Sequence, residues 1–158
     1  MLSKSDLLLL RAMQQDARLT AAEMGEACGL SGTAALKRYK KLVNLGVIEG
    51  TGARLRPQRL GLSLNMLVLI TLERERRGEI QSFKAALRRE DRVVYAYSVT
   101  GEADFLVMIA AKSIEEYDSF TQDFFYDQHK VKTFKTLVVM DAVKTTGSMP
   151  IDVNAGSD

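Results

Sequence analysis

The tightest constraint in this sequence is the tetrapeptide Cys28-Gly29-Leu30-Ser31, which ends one helical pattern and starts the next with almost no chain between them. Upstream, Thr20 and Glu23 stand three apart, the spacing at which hydroxyl and carboxylate each accept the other's backbone N–H at a helix start. Met24 and Ala27 line the inner face of that helix, and Gly29 ends it. Ser31 then caps a helix that runs to Asn44, before Gly46 stops it. An earlier helix spans Asp6 to Gln15, with Asp6 as the expected N-cap. Leu7, Leu10 and Met13 fall at helical spacing in it, and Leu8 and Leu9 broaden the stripe. Three short helices with so tight a link between the last two form a helix-turn-helix pattern.

Past Val47-Ile48, the stretch Glu49-Gly50-Thr51-Gly52-Ala53-Arg54-Leu55-Arg56-Pro57 has two glycines followed by alternating apolar and basic residues. A short hairpin, or wing, is expected there. Gln58 to Ser63 serves as a connector. The remainder alternates strand and helix. Strands are expected over Leu64–Leu72, Val93–Thr100, Phe105–Ala111 and Val131–Met140. One helix spans Arg77–Glu90, with Ile80, Phe83 and Leu87 inward. A second is capped by Ser113 and carries Ile114, Tyr117, Phe120 and Phe124 at helical spacing. The order βαββαβ is the ferredoxin-like arrangement, with two helices on one face of an antiparallel sheet. The fold class is therefore α+β: a winged helix-turn-helix over residues 1–60, a ferredoxin-like domain over 61–145, and a small polar tail over 146–158 that is expected to be mobile.

Both alternating sets of Leu64–Leu72 are apolar, with Met66, Val68 and Ile70 in one and Leu67 and Leu69 in the other. Phe105–Ala110 is apolar throughout as well, and Val93–Val99 is apolar apart from Ser98. Two helices cover one face of such a sheet, so the other needs a cover: a second copy of the chain, or else the N-terminal domain.

Charge divides the chain along the same boundary. Residues 1–60 carry ten Lys/Arg against five Asp/Glu, a net of +5, whereas residues 61–158 carry a net of −3. Within 31–60 seven bases face the single acid Glu49, so this end is the one suited to a polyanion. On the third helix, Leu36, Tyr39 and Val43 are expected to point inward, with Leu42 beside them. Lys37, Lys40, Lys41 and Asn44 point outward, Ser31 and Thr33 form the leading turn, and Arg38 flanks. A small polar turn followed by cations is what a helix needs to reach base edges and then phosphates of double-stranded DNA. Arg54 and Arg56 on the expected wing extend that surface toward the backbone or minor groove. A solvated amphipathic helix is the plainer alternative.

These same residues carry a resemblance. Asp16-Ala17-Arg18-Leu19-Thr20, the run from Gly29 to Leu42 and Gly46-Val47-Ile48 together resemble the N-terminal half of the Lrp/AsnC (feast/famine) transcription regulators. Val99-Thr100-Gly101-Glu102-Ala103-Asp104-Phe105 resembles the G-x-x-D-aromatic turn of their amino-acid-sensing domain, and Val138-Val139-Met140 its closing strand. The resemblance runs from about Ser5 to Lys144. It departs at Gly32 and Ala34, where prolines are common, at Gln128-His129-Lys130, where a Pro-Gly turn is usual, and at Phe134, where threonine is frequent. The resemblance implies a homodimer formed through the sheet domain, higher homo-oligomers such as an octamer, and an amino-acid effector held between dimers. It places the effector at Thr100, Gly101, Glu102 and Asp104: Asp104 would pair with an ammonium group, and amides around Gly101 would receive a carboxylate. Thr136 is a weaker candidate for the same site. The turn also suits a purely structural role, glycine supplying positive φ and aspartate a local hydrogen bond.

Other chemistry is poorly supplied. One cysteine, Cys28, builds no disulfide framework and fits a reducing, cytoplasmic setting, where it serves as a small core residue. One histidine, His129, is expected at the surface of a loop. No metal cluster and no cofactor are expected from that inventory. Gly50-Thr51-Gly52 lacks the rest of a phosphate loop. The N-terminus lacks a signal-peptide pattern, and no apolar run approaches a membrane span. Two further readings share the architecture: an enzyme resembling the sirohaem decarboxylases, for which one histidine is a thin inventory, and an architectural DNA binder without an effector.

Overall fold

The computed structural model describes residues 2–73, 77–129 and 131–155, which fall into two compact units. The first comprises residues 1–54 together with 144–158, and the second residues 55–143. Of the expectations above, Lys130 in the Gln128–Lys130 turn and residues 156–158 of the tail lie outside the described residues.

In the first unit, α1 (Lys4–Gln15), α2 (Ala21–Cys28) and α3 (Gly32–Asn44) enclose a small core of Leu9, Met13, Met24, Cys28, Ala35 and Leu42. The Thr20–Glu23 capping box forms as expected, Gly29 ends α2 at φ 67°, and the Ser31 hydroxyl caps α3 by accepting from the Ala34 N–H. The start of α1 differs. Ser3 is its N-cap, and Asp6 sits at the third helical position and closes a capping box with it. Burial pushes the Cys28 thiol above its ordinary pKa, in keeping with an inert core residue whose Sγ lies 3.0 Å from the Met24 carbonyl oxygen.

Two glycines let α2 and α3 approach closely. A Cβ on Gly25 would lie 2.5 Å from the Leu30 carbonyl oxygen, and one on Gly32 would lie 2.9 Å from that of Ala21. Such an approach favours the smallest neighbour, so Ala35 is fully buried and Leu42 follows two turns on. The inward stripe of α3 is therefore Ala35, Tyr39 and Leu42. The expected Leu36 is only half-buried and Val43 is 40% exposed. Residues 49–56 contain no paired strand and are exposed throughout. An irregular stretch replaces the expected hairpin and leads to a 3-10 turn over Pro57–Leu60.

In the second unit the sheet runs β2-β3-β1-β4, all antiparallel, with β1 at Leu64–Leu72, β2 at Val93–Ser98, β3 at Phe105–Ala111 and β4 at Val131–Val138. The helices α4 (Arg77–Arg89) and α5 (Ile114–Thr121) interrupt the strands in the βαββαβ order. Met66, Val68, Ile70 and Leu72 pack with Phe105, Val107, Ile109, Phe83, Leu87, Tyr117, Phe120 and Phe124 in one core. Ile80 (37% exposed) and Ile114 (55%) do not join it. Both stand in the first turns of their helices, before packing on the sheet begins. Beyond α5 the chain widens into a π-helical stretch, Gln122–Gln128, which turns Phe125 inward as well. His129 is not surface decoration: its ring lies 4.6 Å from that of Phe124 and 5.4 Å from that of Phe83, and burial holds its pKa below the ordinary value.

The tail also differs from expectation. Residues from 144 onward group with the first unit. The Gln14 side chain bonds the Met149 backbone, and a short 3-10 turn over Val153–Ala155 lies against α1.

Candidate nucleic-acid interface and effector turn

The outward face of α3 is built by its inward one. With Ala35, Tyr39 and Leu42 committed to the core, helical spacing puts Thr33, Lys37, Lys40, Lys41 and Asn44 on the opposite side, and all five are exposed. Ser31 is exposed at the head of the helix, its side chain fixed by the cap. No acidic residue occurs anywhere in α3, so nothing on the helix neutralises the lysines.

Arg38, expected among the DNA-facing cations, is instead turned toward α1. Its Nη1 donates to Asp6 Oδ1 at 2.7 Å and to the Ser3 hydroxyl at 2.7 Å. Asp6 Oδ2 accepts from the Ser3 N–H and hydroxyl, at 2.9 and 2.8 Å. Burial alone would raise the Asp6 pKa. The hydrogen bonds from the Ser3 backbone, Arg38 and the Ser3 hydroxyl, with the charge of Arg38, together hold it below its ordinary value. No local pattern in the sequence signals this clamp between the two helices. Ser3-x-x-Asp6 has the spacing of a capping box, although Asp6 is itself the expected N-cap, and the arginine partner lies 32 residues away. Arg54 and Arg56 are exposed in the irregular stretch.

In the second unit, Gly101 takes φ 125° between β2 and β3, where a side chain would be strained, and Thr100 and Glu102 are exposed beside it. Asp104 is half-buried. Its carboxylate accepts the Leu72 N–H at 2.9 Å, and its own N–H donates to the Ile70 carbonyl at 2.9 Å, so this side chain fastens the turn to the end of β1. Thr136 is not brought to that turn. It pairs with Val68 in the middle of β1, on the flank opposite β3, and its hydroxyl shares a hydrogen bond with the Tyr117 hydroxyl under α5.

The face of the sheet away from the helices is largely apolar, with Lys135 opposite Leu69 and Thr133 opposite Thr71 as its polar edge on β4. Tyr95, Tyr97, Leu106, Met108, Leu67, Leu69 and Leu137 align across the strands by register. Tyr95 and Tyr97 stack with ring centroids 6.5 Å apart, and each is more than half exposed. Among the described residues, no group of His, Cys, Asp and Glu could hold a metal ion, and no helix is long and apolar enough to cross a membrane.

A helix-turn-helix unit with a bare basic face, followed by a small α+β unit with an exposed turn and an open sheet face, defines a two-domain DNA-binding regulator. Comparison with known proteins gives the family. Residues 2–49 match the winged helix-turn-helix DNA-binding model, and residues 65–149 match the Lrp/AsnC ligand binding domain. An HTH-type transcriptional regulator of Sinorhizobium fredii is 44% identical over 152 residues, spanning 96% of this chain and 90% of its own. The transcriptional regulator AzlB of Bacillus subtilis is 33% identical over 96% of this chain and 97% of its own. Among solved structures, a transcriptional regulator from Neisseria meningitidis in complex with L-Met superposes with a TM-score of 0.89 at 27% identity, covering 95% of this chain and 97% of that one. The chain belongs to the Lrp/AsnC family of transcription regulators.

Proposed function

We propose that this regulator reads double-stranded DNA with α3 in the major groove, Ser31, Thr33 and Lys37 toward base edges and Lys40 and Lys41 toward phosphates. Arg54 and Arg56 add backbone contacts. The observation that carries this reading is the row Thr33, Lys37, Lys40 and Lys41, exposed on a helix that lacks any carboxylate. The protein acts in the cytoplasm as a regulator and not as an enzyme, consistent with relatives that are transcription regulators. An amino acid is the effector, held at Thr100, Gly101, Glu102 and Asp104. The match to the family's ligand-binding domain and the L-Met complex of the Neisseria regulator support this. The working unit is at least a homodimer, formed through the open sheet face. Support comes from the apolar residues aligned there and from Asn65 Oδ1 on the same side, a buried acceptor with no hydrogen-bond partner among the described residues.

Gel-shift titrations at two salt concentrations, on specific and scrambled duplexes, test the DNA reading. Lys41→Ala weakens binding to every sequence and makes the salt slope shallower by roughly one unit. Lys37→Ala relaxes preference at one or two operator positions, at about 1–3 kcal/mol per contact. If both variants match the parent on both duplexes, α3 is not the recognition helix. For the effector, a thermal-shift screen against the amino acids is decisive, since hundredfold excess over Kd stabilises by about 2.7 kcal/mol.

A further inference from the structure

We propose that the segment Met149–Ala155 is an intramolecular strap, docked on α1, that gives the DNA-binding unit a second chain connection to the sheet. The docking contact is a two-point one. Gln14 Nε2 donates to the Met149 carbonyl at 3.1 Å, and Gln14 Oε1 accepts the Met149 N–H at 2.5 Å. A side-chain amide carries both a donor and an acceptor, so Gln14 pairs with that backbone as a neighbouring strand would. Residues 140–150 are exposed throughout, whereas Ile151 and Val153 are half-buried and alternate with exposed Asp152 and Asn154. Asp152 then closes a local turn: its carboxylate accepts the Asn154 N–H at 2.9 Å, and its carbonyl accepts the Ala155 N–H at 3.3 Å. A loose end has no reason to combine a two-point backbone contact, alternating burial and a closed turn.

The connectivity gives the strap its consequence. The N-terminal unit reaches the sheet through residues 55–63, which enter β1 at Leu64. The strap reaches it through residues 139–148, which leave β4 after Val138. Those two points are neighbours, since Met66 pairs with Val138 and the Val139 N–H donates to the Asn65 carbonyl at 2.9 Å. Both connections therefore leave the same end of one strand pair, and a change in β1–β4 reaches the helix-turn-helix through two chains at once. A doubly held unit also has fewer orientations to lose when it binds DNA. That second consequence rests on the DNA reading above, whereas docking itself does not.

Hydrogen exchange of the full chain, read by mass spectrometry, tests the docking. Amides of 149–155 exchange more slowly than those of 140–147. Gln14→Ala, at an exposed position that leaves α1 folded, raises their exchange on the order of tenfold while α3 stays protected. Unprotected 149–155 amides in the parent, or no change in Gln14→Ala, overturn the strap. Gel shifts with the parent, Gln14→Ala and a chain ending at Val143 test the coupling: both variants bind several-fold more weakly than the parent. Equal Kd values for all three overturn the second connection as a coupling device. A parent that binds no DNA overturns the proposed function, and the exchange result still decides the strap.

Discussion

The guanidinium of Arg38 on α3 lies 2.7 Å from the carboxylate of Asp6 on α1, and this pair fixes how the basic helix is presented. It holds the helix rotation that buries Ala35 and Leu42 and leaves Lys37 and Lys41 in solvent. A cation in the middle of a basic helix thus supports the proposed DNA-facing surface from behind.

Asp6→Asn keeps the cap geometry and removes the charge. It should destabilise the N-terminal unit by about 1–3 kcal/mol near neutral pH, the range for hydrogen bonds to charged groups with some discount for the part-exposed arginine. The Asp6 pKa is depressed in the folded chain, so its contribution is present above the unfolded value of about 3.9 and lost as pH falls through the folded one. Urea denaturation followed by exchange of the α1–α3 amides, repeated across the acid range, measures both effects. Parent and variant with the same stability at every pH would remove the clamp from the account.

Gly25→Ala tests the close approach of α2 and α3. The added methyl meets the Leu30 carbonyl at 2.5 Å and the Gly32 nitrogen at 2.9 Å, and both are backbone atoms that cannot swing aside. A loss on the order of 1–3 kcal/mol is expected, with DNA affinity falling alongside. Gly50→Ala, where a Cβ meets nothing within 4 Å, is the control and should stay within about 0.5 kcal/mol of the parent in a thermal melt.

Asp104 divides into two roles under two substitutions. Asp104→Ala leaves the Leu72 N–H without its acceptor and should cost roughly 1–2 kcal/mol without any ligand present. Asp104→Asn retains an acceptor and should melt near the parent, yet lose stabilisation by an amino acid whose ammonium group pairs with the carboxylate. Calorimetry showing the parent's Kd in Asp104→Asn would leave this residue with its structural bond alone.

The open sheet face should govern assembly. Leu67→Lys and Tyr97→Lys each put a charge among apolar side chains that align across β1, β2 and β3. Both should shift the protein toward a 17.6 kDa monomer in light scattering at micromolar concentration, with the helix-covered core unaffected. A parent that is already a stable monomer, or variants that assemble as it does, would place the interface elsewhere.

Elements that depend on neighbouring residues were legible in the sequence. The Thr20–Glu23 box, the Gly29 stop and the Ser31 and Ser113 caps each rest on side chains that reach only a few residues along the chain. The strands Leu64–Leu72 and Phe105–Ala111 appear with the expected bounds, because uninterrupted apolar runs between turn residues have few alternatives. What the sequence could not determine is which of several apolar residues a helix buries. Leu36 competes with Ala35, and Val43 with Leu42, for the inward side of α3, and hydrophobicity favours Leu36 over Ala35 and does not separate Val43 from Leu42. The glycine contact between α2 and α3 and the pull of Asp6 on Arg38 decide for Ala35 and Leu42. Likewise Asp104 belongs to a turn by sequence, but its bond to the Leu72 N–H depends on the arrival of β1 from 32 residues away. A polar tail with no apolar run has no signal of its own, and its place on α1 depends on Gln14, 135 residues away. Local chemistry set the elements, and contacts distant in sequence set their faces, because burial depends on what arrives from elsewhere in the chain.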